Sequence, residues 1–356
     1  MATHPTFEIA GRTIGGGAPP LVIAEAGVNH NGLPALALEL VDAAADAGAD
    51  AVKFQTFSAD LVATADAPQA AYQRSRAAAG SQVDMLRALE LSPEGLRAAR
   101  DRALQRGIIF LSTPFDMGAV RLLVTLDVPA FKIGSGDLTN VPLLRAVAAQ
   151  RLPILLSTGM ASLAEVDAAV DVLRRAGDPP LVLLQCTSAY PASAEDANLR
   201  AMQLMAERYG VPVGYSDHTL GLGAPIAAAA MSAAVIEKHL TLDRGLKGPD
   251  HAASLEPTAF ADLARGVREA FAALGDGRKE PRPDEADTRL VARRSLVVMR
   301  DLSAGEVIGP DDLDAMRPAT GISPLRFDEV VGRRAARQIA ARVPLTPDDL
   351  DPALPG

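Results

Sequence analysis

Eight short apolar runs, each ending in a chemically useful residue and followed by a helical stretch, constrain this chain more than any other feature. They are Leu21–Gly27, Ala51–Phe57, Ile108–Phe115, Ala130–Gly136, Pro153–Gly159, Leu181–Tyr190, Val211–His218 and Val235–Asp243. At or near their ends stand Glu25, Lys53, Thr113, Lys132, Ser157, Tyr190, His218 and His239. Near-continuous apolar runs of this length fit strands buried on both faces, as in parallel sheets. Alternation with helices predicts a (β/α)8 TIM barrel, whose reacting groups gather at the C-terminal rim of its strands.

The helical signals fit that alternation. Ser92-Pro93-Glu94 supplies an N-cap, a proline at the first helical position and an early acid, and the helix is expected to stop at Gly107. Ser162 and Glu165 have the capping-box spacing and open a helix ending near Gly177. Pro34 to Ala47 and Pro257 to Leu274 carry helical apolar spacing. The segment from Ser58 to Glu90 is too long for a simple connection and reads as a lid or an oligomer contact.

At 356 residues the chain exceeds the roughly 250 that a barrel requires. The barrel is assigned to residues 1–274. A polar stretch beginning GDGRKEPRPDEADTR reads as a linker over 275–290, and residues 291–350 as a compact β-rich module. No apolar run reaches the roughly 20 residues of a membrane span, and the N-terminus lacks the pattern of a signal peptide. With Cys186 as the single cysteine, these features predict a cytoplasmic protein without an internal disulfide. A net charge of −9 argues against general nucleic-acid binding, so an anionic substrate needs a local basic pocket.

Only five lysines occur, and two of them, Lys53 and Lys132, fall inside apolar strand segments where an unpaired ammonium is costly. Two readings stand open: an internal salt bridge to a strand-end carboxylate such as Glu25, or a clamp for a phosphate or carboxylate. Histidine is as sparse, with five in the chain. His218 and His239 end neighbouring strands, which makes them a candidate divalent-metal pair completed by waters or substrate oxygens. No Gly-rich nucleotide loop follows any strand, so neither a nicotinamide cofactor nor a kinase-type mechanism has support.

Nine segments around these residues resemble the N-acetylneuraminate (sialic acid) synthase family, which includes legionaminate and pseudaminate synthases. They are AEAGVNHNG (24–32), AVKFQTF (51–57), STPFD (112–116), KIGSGD (132–137), STGMAS (157–162), CTSAYP (186–191), YSDHTLG (215–221), EKHLTLD (237–243) and GPDHAASLEP (248–257). RPATGISP (317–324) resembles the signature of that family's C-terminal antifreeze-like (SAF) domain. The likeness runs in order from about residue 20 to 345.

The resemblance implies condensation of phosphoenolpyruvate with an N-acyl hexosamine, releasing phosphate and forming a nine-carbon 2-keto sugar acid. It places phosphoenolpyruvate on Lys53, Thr113, Lys132, Ser135, Ser157 and Ser216, and a divalent metal, Mn²⁺ or Mg²⁺, on His218 and His239. Glu25 corresponds to the acid/base carboxylate, and Gln55, Phe115, Tyr190 and Asp250 to positions around the sugar. Asp137 and Ser188 stand where sialic-acid members carry Glu and Asn, so both are assigned to sugar contacts. Arg317 matches an arginine delivered into the partner's barrel, which implies a domain-swapped homodimer. The acceptor reads as N-acetylmannosamine or its 2,4-diacetamido-6-deoxy analogue. Ser188 keeps a pseudaminate synthase in view, and a pyruvate-dependent aldolase using Lys132 as nucleophile is the alternative of another class.

Overall fold

The computed structural model describes residues 5–70 and 81–354, and the chain divides after Gly275 into two compact units. The first opens with a hairpin of β1 (Phe7–Ile9) and β2 (Arg12–Ile14). Eight strands follow: β3 (Leu21–Gly27), β4 (Ala51–Thr56), β5 (Ile109–Pro114), β6 (Phe131–Ile133), β7 (Ile154–Ser157), β8 (Leu181–Cys186), β9 (Val213–Asp217) and β10 (Val235–His239). They form one parallel sheet in the order β5-β4-β3-β10-β9-β8-β7-β6, and β5 and β6 pack side by side across the seam. The expected TIM barrel is present.

Its strands are nearly all buried because each lies between two apolar layers. Outside, helices such as Pro34–Asp46, Pro93–Gln105 and Leu163–Ala176 turn residues like Leu40, Leu96 and Val170 onto the sheet. Ser92 accepts from the Gly95 amide, and Ser162 forms the full capping box with Glu165. Inside, Leu21, Leu111, Leu155, Val182 and Val235 meet Ile9 and Ile14 of the hairpin, which fills the N-terminal mouth. The sequence reading did not include this hairpin.

The strand ends differ from the sequence reading in ways that matter for chemistry. After Ile133 the chain turns into a 3-10 helix, Ser135–Asp137, so Ser135 reaches the rim from a turn. β8 stops at Cys186, which leaves Ser188 and Tyr190 on the following loop. The expected lid over 58–90 contains helices Ala59–Val62 and Gln82–Arg87, while its residues 71–80 lie outside the described residues.

The second unit carries its own core around Leu296, Val298, Ile308 and Leu345, with β11 (Ser295–Val298) paired to β12 (Leu313–Met316) and β13 (Arg334–Ala335) to β14 (Leu350–Asp351). The stretch read as a linker is structured in part: a 3-10 turn, Pro283–Glu285, leads into a helix, Ala286–Ala292. Among the described residues no helix is long and apolar enough to cross a membrane.

Candidate active site

Register alone assembles the charged residues. Glu25 on β3 lies directly opposite Lys53 on β4 and His239 on β10, and Ser216 on β9 lies opposite Glu237 on β10. A bulge after Glu25 shifts the β3–β4 pairing. Such bulges re-aim side chains at barrel rims. Together these strand ends line a cavity of about 480 Å³.

At its base the two lysines share two carboxylates. Lys53 pairs closely with Glu25 and also bonds Thr113 Oγ1 at 3.1 Å. Lys132 lies 3.3 Å from Glu237 Oε1, which also accepts from Ser216 Oγ at 2.8 Å, and Glu237 Oε2 is 3.8 Å from Lys53. The internal salt bridge to Glu25, one of two readings from sequence, is therefore present. It leaves a second, unforeseen carboxylate between both ammoniums. Glu237 was legible in principle: it sits two residues before His239 on a strand, hence on the same face.

Burial divides the carboxylates. It raises Glu25 to about 7 despite Lys53, whereas for Glu237 it is overcome by Lys132 and Lys53, which hold that group down at about 2. Burial depresses Lys132; for Lys53 burial is outweighed by Glu237 and Glu25, which raise it. The base thus sets two lysines against one firmly ionised carboxylate and one carboxyl poised to exchange a proton near neutrality.

Polar groups above this base are incompletely partnered. Ser157 Oγ, Glu237 Oε2 and His239 Nδ1 are buried without a hydrogen-bond partner. Native structures rarely tolerate such groups without a functional reason. Ser135 Oγ accepts from the Gly159 amide at 2.9 Å, and Gln55 donates to Glu25 Oε1 at 3.1 Å. Phe115 and Phe57 meet edge to face at 6.0 Å, with Phe115 and Ser188 on the cavity wall.

The two histidines lie together, with ring centroids 5.3 Å apart, and Tyr190 packs on His218 at 4.2 Å. His218 Nδ1 donates to the Thr187 carbonyl at 2.8 Å, which fixes the orientation of the ring. His239 is held well below the usual histidine range by burial and by His218, and Asp250 lies 3.7 Å from its Nδ1. Burial raises Asp250 to about 6. Among the described residues no group of three or more His, Cys, Asp and Glu is arranged as a protein cage for a metal. Two imidazoles, one oriented by a carbonyl and one without a hydrogen-bond partner, still fit a divalent ion with open positions.

Two assigned residues make other bonds in this chain. Asp137 lies off the cavity wall and accepts from Asn140 Nδ2 at 2.9 Å, so a direct sugar contact from this carboxylate finds no support in the geometry. Its acid is spent on ordering the turn before helix Val141–Ala148. Arg317 belongs to the second unit, where its Nε donates to the Ala292 carbonyl at 2.9 Å.

Known proteins bear on this geometry. The profile of the NeuB family matches residues 40–279, and that of the SAF domain residues 293–351. The chain is 47% identical over 325 residues to the N,N'-diacetyllegionaminic acid synthase of Legionella pneumophila, covering 90% of this chain and 91% of that one. It is 33% identical to the pseudaminic acid synthase of Helicobacter pylori, covering 94% and 99%. The crystal structure of N-acetylneuraminic acid synthetase from Leptospira borgpetersenii, in complex with citrate, superimposes with a TM-score of 0.71 at 35% identity, covering 80% of this chain and 95% of that one. A barrel with this rim, matched by these relatives over nearly its whole length, belongs to the NeuB family and ends in a SAF domain.

Proposed function

We propose that this enzyme, a nonulosonic acid synthase, condenses phosphoenolpyruvate with an N-acyl hexosamine. The observation that carries the reading is the rim base, where Lys53 and Lys132 converge on Glu237 beside the unpartnered Ser157 hydroxyl. Two ammoniums and a ring of hydroxyls from Thr113, Ser135, Ser157 and Ser216 match a ligand carrying both phosphate and carboxylate. Holding that ligand here aims its enol carbon out of the barrel, toward an aldehyde lying against Tyr190, Gln55 and Phe115.

Bond formation joins the enol carbon to the aldehyde carbon, water adds at C2, and the C2–O bond to phosphate breaks. Glu25, raised to about 7, accepts the water's proton when ionised and returns one when protonated. His218 and His239 would hold Mn²⁺ or Mg²⁺, which when bound supplies Lewis acidity at the aldehyde oxygen. Asp250 orients against His239 from the loop after β10.

The acceptor we favour is 2,4-diacetamido-2,4,6-trideoxymannose, because of the two relatives compared the one with the higher identity, 47% against 33%, is named a diacetyllegionaminic acid synthase. Ser188 is the feature that keeps N-acetylmannosamine and the pseudaminate precursor in the comparison. Arg317 is assigned to the acceptor's N-acyl group in the barrel of a second copy, as a domain-swapped homodimer, and the enzyme to the cytoplasm. The test is phosphate release from phosphoenolpyruvate against a panel of N-acyl hexosamines, with the mass of the product. Pyruvate consumption without phosphate, with borohydride trapping a lysine adduct, would establish the aldolase instead. The swap has its own test: mixed Arg317→Ala and Glu25→Ala chains should regain activity, since one site then receives both intact residues. Complete subunit exchange without recovery would assign the module to its own barrel.

A further inference from the structure

Strand alternation places a second buried charge pair directly behind the site. Ser216 and His218 flank Asp217 at the end of β9, and Glu237 and His239 flank Lys238 on β10. Neighbours along a strand point to opposite faces. Ser216, His218, Glu237 and His239 therefore enter the cavity, while Asp217 and Lys238, paired in register, face away from it. Both side chains are fully buried, and Lys238 Nζ lies 2.5 Å from Asp217 Oδ2.

This pair is saturated. Asp217 Oδ1 accepts from Tyr215 Oη at 3.0 Å and from the Thr219 amide at 2.9 Å, and Oδ2 accepts from Thr219 Oγ1 at 3.1 Å. Lys238 Nζ also donates to the Thr219 carbonyl and, at 3.5 Å, to that of Gly221. Each of these bonds closes on residues 215–221, the segment that carries His218. Thr219 then bridges to Ala192, whose amide donates to the His218 carbonyl at 2.9 Å, so the same turn fixes the loop bearing Ser188 and Tyr190.

Stability alone does not account for the pair. The helix outside it, Gly223–Ala230, is small and apolar, and uncharged residues of similar volume commonly replace a buried ion pair at no loss. The value of charge here is directional, because an ammonium with a fixed carboxylate and two carbonyls tolerates one turn geometry. We infer that Asp217 and Lys238 are positioning residues that hold His218 against His239 and Tyr190, and so set the metal and acceptor half of the site without touching either ligand. The inference rests on the reading of His218 and His239 as metal ligands given above.

It predicts a split effect. Lys53, Thr113 and Lys132 hang from β4, β5 and β6, which the pair does not touch, and of the phosphoenolpyruvate groups only the uncharged Ser216 adjoins it, so phosphoenolpyruvate binding should survive its loss. The test uses the full-length double variant Asp217→Asn/Lys238→Met, which removes both charges together and leaves no buried ion unpaired. Calorimetric titration with Mn²⁺ alone should show affinity reduced about 10- to 100-fold, the range of losses behind metal-bound histidines. KM for the acceptor should rise by a similar factor, and the dissociation constant for phosphoenolpyruvate should stay within about twofold of wild type. Should the double variant fail to fold, Asp217→Asn alone must show the same split for the inference to stand. A folded variant with unchanged Mn²⁺ affinity and acceptor KM overturns it, as does a parallel loss of phosphoenolpyruvate affinity. Absence of Mn²⁺ binding to the wild type would instead refute the metal reading, and the acceptor KM then decides the inference.

Discussion

The barrel has a cavity at each end, and the larger one has the less chemistry. The cavity at the N-terminal ends of the strands measures about 540 Å³ and is lined by residues such as Met202, Met231, Ala234 and Phe271 beside the Gly15–Gly17 turn. The one at the C-terminal rim measures about 480 Å³. None of the described residues lining the floor is charged, and none of their side chains is a buried polar group left without a partner. The rim concentrates Lys53, Lys132, Glu25, Glu237 and both histidines, and four of its buried polar atoms have no hydrogen-bond partner. Volume therefore does not identify the site. Unsatisfied polarity does, because only a ligand can complete it.

Each prediction bears on that contrast. The largest effect belongs to His239→Ala, which should abolish turnover, as should chelation of the wild type, with the fold retained because a rim residue contributes little to the core. Activity in metal-stripped enzyme under excess chelator would break the reading. Lys53→Ala should weaken phosphoenolpyruvate by about 1.5–3 kcal/mol, the worth of a charge-assisted contact, seen as a KM raised roughly 10- to 150-fold. A wild-type KM would reduce Lys53 to a salt-bridge member.

Ser157→Ala is the sharper probe of unsatisfied polarity. Its hydroxyl has no partner without ligand, so deletion should leave the melting temperature unchanged or raised, while KM for phosphoenolpyruvate increases by roughly 3- to 10-fold, about one neutral hydrogen bond. A marked loss of stability would show that the hydroxyl is structural.

The smallest expected effect concerns pH. Burial raises Glu25 from 4.5 to about 7 in the folded state, so the folded protein binds this proton more tightly than the unfolded chain. The resulting contribution to stability is fully present below about 4.5 and is lost as pH rises through 7. Glu25→Gln, which cannot ionise, should therefore melt above the wild type at pH 8, and the difference should shrink at pH 5. A gap that widens toward acid would mean Lys53 holds Glu25 ionised.

What the sequence revealed, and what it hid, follows the same physics. The rim was legible because a polar or charged residue ending an apolar strand is conspicuous, and eight such ends share one side of a parallel barrel. Glu237 is harder to see, because it lies inside the strand, two residues before the histidine that ends it. Strand parity sends it and Lys238 to opposite faces, Glu237 to Lys132 and Lys238 to Asp217. The hairpin was invisible because strands of three residues are too short to show a period. Helix Ala286–Ala292 was hidden in polar sequence, since it has no buried residue to betray a helical stripe. Asp137 was assigned by motif position, and its bond to Asn140 depends on a turn that spacing does not reveal.

The central claim is that the rim, and not the floor, awaits an anionic ligand. The most direct measurement is calorimetric titration of phosphoenolpyruvate into wild type, Lys132→Met and Phe271→Ala. Binding to wild type, weakened roughly 10- to 150-fold by loss of the Lys132 contact and unchanged within about twofold by Phe271→Ala, is the predicted result. Equal affinity in wild type and Lys132→Met, or a loss confined to Phe271→Ala, would contradict it.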